Sequence, residues 1–94
     1  MPCHVEWRAQ HILGRTSDVS WEGITVSLNA PIELNPEEAV DIFITPQGEE
    51  EEIVLRVQPI HAEPWRNLSK VGFKVVRVEH GEHTWHQFCY VPSW

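Results

Sequence analysis

The sequence predicts an all-β fold, a small barrel or sandwich, finished by one helix at its C-terminal end. Three observations carry this. Short apolar runs alternate with polar residues at a two-residue period, proline, glycine and asparagine separate those runs at fairly regular intervals, and only the segment after Gly81 repeats apolar residues at helical spacing.

Taken in order, His4, Val5, Glu6 and Trp7 alternate polar and apolar and open the first strand. Gly23 to Leu28 repeats the period with β-branched residues, as a half-buried strand should. A third run, Ala39 to Thr45, precedes Pro46-Gln47-Gly48, and a fourth, Ile53 to Val57, follows, so the pair reads as a hairpin with a Pro/Gly tip. The segment from Asn29 to Glu38 carries two prolines and reads as a crossover loop, too broken for a helix. In the fifth run, Val71 to Val78, Phe73, Val75 and Arg77 fall on one side and Gly72, Lys74, Val76 and Val78 on the other. After Gly81, Trp85, Phe88 and Cys89 form an apolar stripe, and Pro92 should end that helix.

Composition narrows the function. A chain of 94 residues fits one domain, and 41% hydrophobic with 22% charged residues is enough to bury a core. A formal net charge of −7 disfavours DNA or RNA as a partner, because phosphate neutralisation needs clustered cations. No run nears the roughly 18 apolar residues of a membrane helix, so direct membrane insertion is not expected. The start, Met1-Pro2-Cys3-His4, shows no export signal, and Cys3 and Cys89 are too few for a disulfide framework. A cytoplasmic chain with free thiols is expected.

The charged and nucleophilic residues show little catalytic patterning. Glu49 to Glu52 reads as a solvated hairpin tip, since alternation along a strand would keep four carboxylates from converging on one cation. His80, His83, His86 and Cys89 recur every three residues, but steps of three lag a helical turn by about 60°, so they cannot all converge. Any metal would need help from His4 or His61; no metal site and no cofactor is assigned. Ser17 and Ser20 lack a nucleophile elbow, and no phosphate-loop or dinucleotide glycine pattern is present. Asp18 and Glu22 could pose as a carboxylate pair, yet their spacing fits turn chemistry equally well. The chain is not expected to be an enzyme.

One segment is more specific. Asp18-Val19-Ser20-Trp21-Glu22-Gly23 runs straight into a strand; Asp and Ser two apart can bond nearby backbone or a ligand, and Gly23 permits a left-handed or closely approached backbone. An Asx turn would also satisfy this pattern.

Asp-x-Ser-x-x-Gly followed by a β-rich run resembles the second signature of PilZ domains, bacterial receptor modules for cyclic di-GMP. The resemblance extends from about Val5 to Tyr90: Asn29–Glu38 resembles the family's proline-bearing connection, Val57–Val71 the stretch where its later strands pair, and Val71-Gly72-Phe73-Lys74-Val75 the late strand before its closing helix. It implies a six-stranded antiparallel β-barrel with a C-terminal helix, and a guanine contact for Asp18, Ser20 and Gly23. On that barrel the inner face should take Val26, Leu28, Ile42, Ile44, Val54, Phe73 and Val75.

The family's other signature, two arginines with three residues between them ahead of the first strand, is absent. Arg8 and Arg15 are separated by six residues, and Arg8 falls within or at the end of the predicted first strand. Either the arm lies upstream of Met1 or this variant has lost it. Arg8, Arg15 and Arg66 are the candidates for a substitute clamp, and Trp21 could stack a base, pack on a neighbouring strand or sit at an exposed loop tip. The resemblance implies a module that binds cyclic di-GMP and signals to a protein partner or an attached enzyme, such as a cellulose-synthase-like glycosyltransferase. The alternatives are a ligand-free interaction module using a barrel face or the helix bearing Trp85 and Phe88, and a metal-dependent protein built on the histidines.

Overall fold

The computed structural model of the chain describes residues 2–30, 35, 37–45, 52–65 and 68–90, with the backbone alone for residues 63–65, 68, 88 and 90. The hairpin tip Pro46-Gln47-Gly48, Glu49 to Glu51, residues 31–34 and 36 of the proline-bearing connection, Arg66, Pro92 and Trp94, together with the side chains of Trp65 and Phe88, lie outside the described residues.

Six antiparallel strands close into a barrel: β1 (Pro2–Trp7), β2 (Gln10–Val19), β3 (Gly23–Leu28), β4 (Val40–Ile44), β5 (Ile53–Trp65) and β6 (Leu68–His80), followed by α1 (Glu82–Tyr90). Around the barrel the order is β1-β2-β3-β6-β5-β4, and β4 returns to pair with β1. Closure leaves no open sheet edge to recruit another chain. Among the described residues no helix is long and apolar enough to cross a membrane.

The inward period is clean on β3 and β4, where Ile24, Val26, Leu28, Val40, Ile42 and Ile44 are buried. Phe73 is buried as expected, and Val75 is half-buried against the core. Val54 is a correction: Ile53, Leu55 and Val57 pair with the buried Ile44, Ile42 and Val40, so Val54 points outward opposite Phe43. A residue paired directly opposite a buried one shares its face, and a shift of one residue reverses it.

A second correction concerns β6. The β5–β6 pairing slips between Arg56 and Val57, which makes Val76 an extra residue on β6. Beyond that bulge the faces exchange: Val76 and Arg77 are exposed, while Val78 packs against the core.

Alternation accounts for five strands; β2 is not marked by it. Its inner face holds Ile12, then Gly14 and Thr16, and Leu13, 65% exposed, interrupts an otherwise polar outer face, so it lacks the apolar repeat of its neighbours. A two-residue turn, Arg8-Ala9, joins β1 to β2 below the Trp7–Gln10 pair, and both residues have positive φ, 50° and 62°. Primed hairpin turns need that geometry, for which Asn-Gly is the favoured pair. A non-glycine residue held there costs about 1–2 kcal/mol, so Ala9→Gly is expected to stabilise the chain by about 1 kcal/mol. Thermal unfolding should register this as a rise of roughly 4–8 °C for a domain of this size; a fall would mean the turn is not held at positive φ.

Candidate functional site

The segment Asp18 to Gly23 forms the end of β2, a tight turn and the first residue of β3. The Ser20 N–H donates to the Gly23 carbonyl at 2.8 Å, the Gly23 N–H donates to Ser20 Oγ at 3.1 Å, and that hydroxyl donates to the Gly23 carbonyl at 3.3 Å. Ser20, not Asp18, therefore makes the turn. The Val75 N–H donates to the Glu22 carbonyl at 2.9 Å and ties the turn to β6. A Cβ on Gly23 would stand 3.2 Å from the Phe73 carbonyl oxygen, so close approach explains the glycine; its φ is not in the left-handed region.

Asp18 is aimed by a bulge. Thr16 pairs with the buried Val26 and Asp18 with Thr25, leaving Ser17 as an extra residue on β2. Simple alternation would turn Asp18 inward with Thr16; the extra residue sends it out instead. Asp18 is exposed, and its carboxylate makes no hydrogen bond or ion pair among the described residues. A matching slip on β5 between Pro59 and His61 leaves Ile60 as the extra residue, 65% exposed.

Between the two bulges, Asp18, Thr25, Gly72 and His61 stand in register across β2, β3, β6 and β5. Three inter-strand spacings make this row roughly 14 Å long. At its centre stand Thr25, with a short side chain, and Gly72, which is bare backbone. An open cleft of about 320 Å³ lies there, walled by Asp18, Ser20 and Gly23 on one side and Ile60 and His61 on the other. All three residues of the Asp-x-Ser-x-x-Gly motif thus line one cleft on the barrel's outer surface.

Chemically the two walls differ. A free carboxylate is a two-oxygen acceptor that suits an edge presenting two adjacent N–H donors, as a guanine base does. The rows on either side carry cations: Arg15, Ser27 and Lys70 stand in register on one flank, and Gly23, Lys74 and Gln58 on the other. Arg15 is one row from Asp18 on the same strand. Neither lysine was marked by the motif, although Lys70, Gly72 and Lys74 share one face by the two-residue period.

The remaining candidates lie elsewhere. Arg8 sits in the β1–β2 turn, at the far end of β2 from Asp18, with its guanidinium 4.8 Å from the Trp7 ring centroid and 3.8 Å from the Glu38 carboxylate. Trp21, 41% exposed at the turn tip, meets His86 of α1 edge to face, ring centroids 5.1 Å apart. It lines a second groove of about 300 Å³ with Val76, Glu82 and Trp85 rather than the cleft beside Asp18.

The C-terminal histidine series does not converge with His4 or His61; His4 instead meets His11 edge to face, ring centroids 5.0 Å apart. His80 ends β6, His83 and His86 are exposed on α1, His4 stacks on Phe43 at 4.7 Å, and His61 belongs to the cleft. Among the described residues no group of three or more His, Cys, Asp or Glu is placed to hold a metal ion. Burial pushes the Cys3 thiol up to about 11 and raises that of Cys89, so both are protonated thiols at neutral pH and act as packing residues.

Comparison of the chain with protein-family models, with curated proteins and with solved structures returned no match.

Proposed function

We propose that this chain is a PilZ-type receptor module that binds cyclic di-GMP in the cleft between the Ser17 and Ile60 bulges. The observation that carries the reading is the convergence of Asp18, Ser20 and Gly23 on a single open cleft whose flanks are basic in a chain of net charge −7. Asp18 would accept the N–H edge of a guanine, Ser20 and Gly23 would keep the turn at the height that lets the base slide in, and the cations would face the phosphates. The module would work in the cytoplasm and pass the signal to a protein partner or an attached enzyme, a cellulose-synthase-like glycosyltransferase being the kind the resemblance implies. Such signalling needs the ligand to bind one arrangement of module and partner better than another, since only differential affinity shifts an equilibrium.

Isothermal titration of cyclic di-GMP into the chain tests this. Micromolar binding is expected, and Asp18→Ala should weaken it by at least about tenfold, equivalent to about 1.4 kcal/mol. A folded chain that gives no heat at high ligand concentration would overturn the receptor reading. One observation favours a second reading, a PilZ-like interaction module without nucleotide: Arg8 is held at the far end of β2 by Trp7 and Glu38, away from the cleft. That module would bind protein through the groove between Trp21, Val76 and α1, where Val76 is 55% exposed.

A further inference from the structure

We infer that Lys70 and Lys74 of β6 form a strand-borne clamp for a phosphate-bearing anion with two adjacent phosphate groups lying over Gly72, with Arg15 as its third cation. This deepens the nucleotide reading above and rests on it for the identity of the ligand.

The inference begins with the sequence. The chain has two lysines, at positions 70 and 74, with Gly72 midway between them. On a strand that spacing puts all three on one face, with the lysine Cα atoms about 13 Å apart at 3.3 Å per residue. The burial pattern agrees: Lys70 and Lys74 are exposed while Ser69, Val71 and Phe73 are buried. Each lysine is an ammonium on a flexible four-carbon stem, so both can lean over the side-chain-free floor between them.

The distribution of charge singles out this place. Among the described residues, Arg8 is paired with Glu38, Arg56 with Asp41 at 3.2 Å, and Arg77 with Glu79 at 2.6 Å. The described cations outside those pairs are Arg15, Lys70 and Lys74, and all three stand in the rows beside the cleft. Three uncommitted cations around one cleft, in a chain with twice as many acids as bases, form a local field that attracts an anion.

Across the neighbouring strand β3, Lys70 stands in register with Ser27 and Lys74 with Gly23, neither of which carries charge. A lysine clamp differs in kind from an arginine one: it offers point charges to phosphate rather than planar forks, and leaves recognition of the base to Asp18. Affinity should accordingly fall as ionic strength rises, because exposed charges are screened over about 10 Å at 0.1 M salt.

The test combines two probes with matched variants. Calorimetric titration of cyclic di-GMP should show Lys70→Gln and Lys74→Gln each weakening binding on the order of tenfold, and the double variant more than either. Arg56→Gln removes the same charge away from the cleft and should leave affinity unchanged. Gly72→Leu should block binding without unfolding the chain, since a Cβ there meets only the His61 carbonyl oxygen, at 3.8 Å. In parallel, inorganic pyrophosphate is titrated while amide resonances of residues 70–74 are followed. If the chain binds cyclic di-GMP and the double lysine variant binds it equally well, the clamp is overturned and the nucleotide reading stands. If cyclic di-GMP does not bind but pyrophosphate shifts those amides in the parent chain and not in the double variant, the nucleotide reading is overturned and the clamp stands. Binding of neither probe overturns both.

Discussion

Trp85→Ala is expected to lower the unfolding free energy by about 3–5 kcal/mol, a large part of the 5–15 kcal/mol available to a domain of ordinary stability. Trp85 is fully buried and belongs to the core cluster, although it comes from a helix of only nine residues. A helix that short does not persist alone in water, where about 12–15 residues are marginal. Local features at its start are modest: Gly81 turns the chain at φ 76°, its carbonyl accepts the Trp85 N–H at 2.8 Å, and Glu82 places a negative charge in the first turn. Packing must supply the rest, and Trp85 is the largest side chain α1 commits to the barrel. Removing it takes away both the transfer energy of the indole and the contact that holds α1 against β5 and β6. Urea unfolding followed by far-ultraviolet circular dichroism measures the first effect, and loss of helical signal before the main transition measures the second. A loss under about 1 kcal/mol would mean that α1 is peripheral to stability. The consequence reaches the site as well: His86 meets Trp21 in the motif's turn, so amide shifts at Ser20 to Gly23 should accompany release of the helix.

How far these features were legible in the sequence depends on which physical scale sets them. Alternation within a strand is local, and it marks β3, β4 and the buried Val26, Leu28, Ile42, Ile44 and Phe73. The outward position of Val54 is legible as well, because Arg56 has the same parity and a charged side chain in the middle of a strand marks the outer face. The shared face of Lys70, Gly72 and Lys74 was equally open to the period of two. Bulges are different. Whether Ser17 or Ile60 is an extra residue is decided by the neighbouring strand's register, which no single-strand pattern contains. Asp18 is marked by its motif, yet its position at the end of a strand, aimed outward by Ser17, follows from that register. The row joining Asp18 to His61 crosses four strands and depends on three pairings at once, so the sequence could name one of its ends and not the other. Arg8-Ala9 is the reverse case: a turn that normally announces itself as Asn-Gly is made here by two residues without that signal, which hid both β2 and the fate of Arg8.

Gly14→Ala should reduce stability by about 1–3 kcal/mol, and the same substitution at Gly72 should not reduce it. Gly14 occupies the inner face of β2, in register with Cys3 on one side and Leu28 on the other. A Cβ there would lie 2.5 Å from the Ser27 carbonyl oxygen, 2.9 Å from Leu28 Cδ2 and 3.2 Å from Val26 Cγ1. The nearest of these is backbone held in the β2–β3 pairing, so relief requires β2 to move away from β3 rather than a side chain to rotate. At Gly72 the nearest atom is 3.8 Å away, an ordinary contact, and replacing glycine there gains about 0.4–1 kcal/mol by restricting the unfolded chain. The two glycines thus give opposite signs for one chemical change, a contrast that propensity alone would not produce. Denaturant midpoints for the pair measure it, and a Gly14→Ala chain as stable as the parent would mean that β2 and β3 are not so closely apposed. Because Asp18 rides on β2 beyond the Ser17 bulge, a displaced β2 also moves the carboxylate relative to Thr25 and the cleft floor. On the receptor reading proposed above, Gly14→Ala should therefore weaken cyclic di-GMP binding through position alone, with Asp18, Ser20 and Gly23 all still present in the chain.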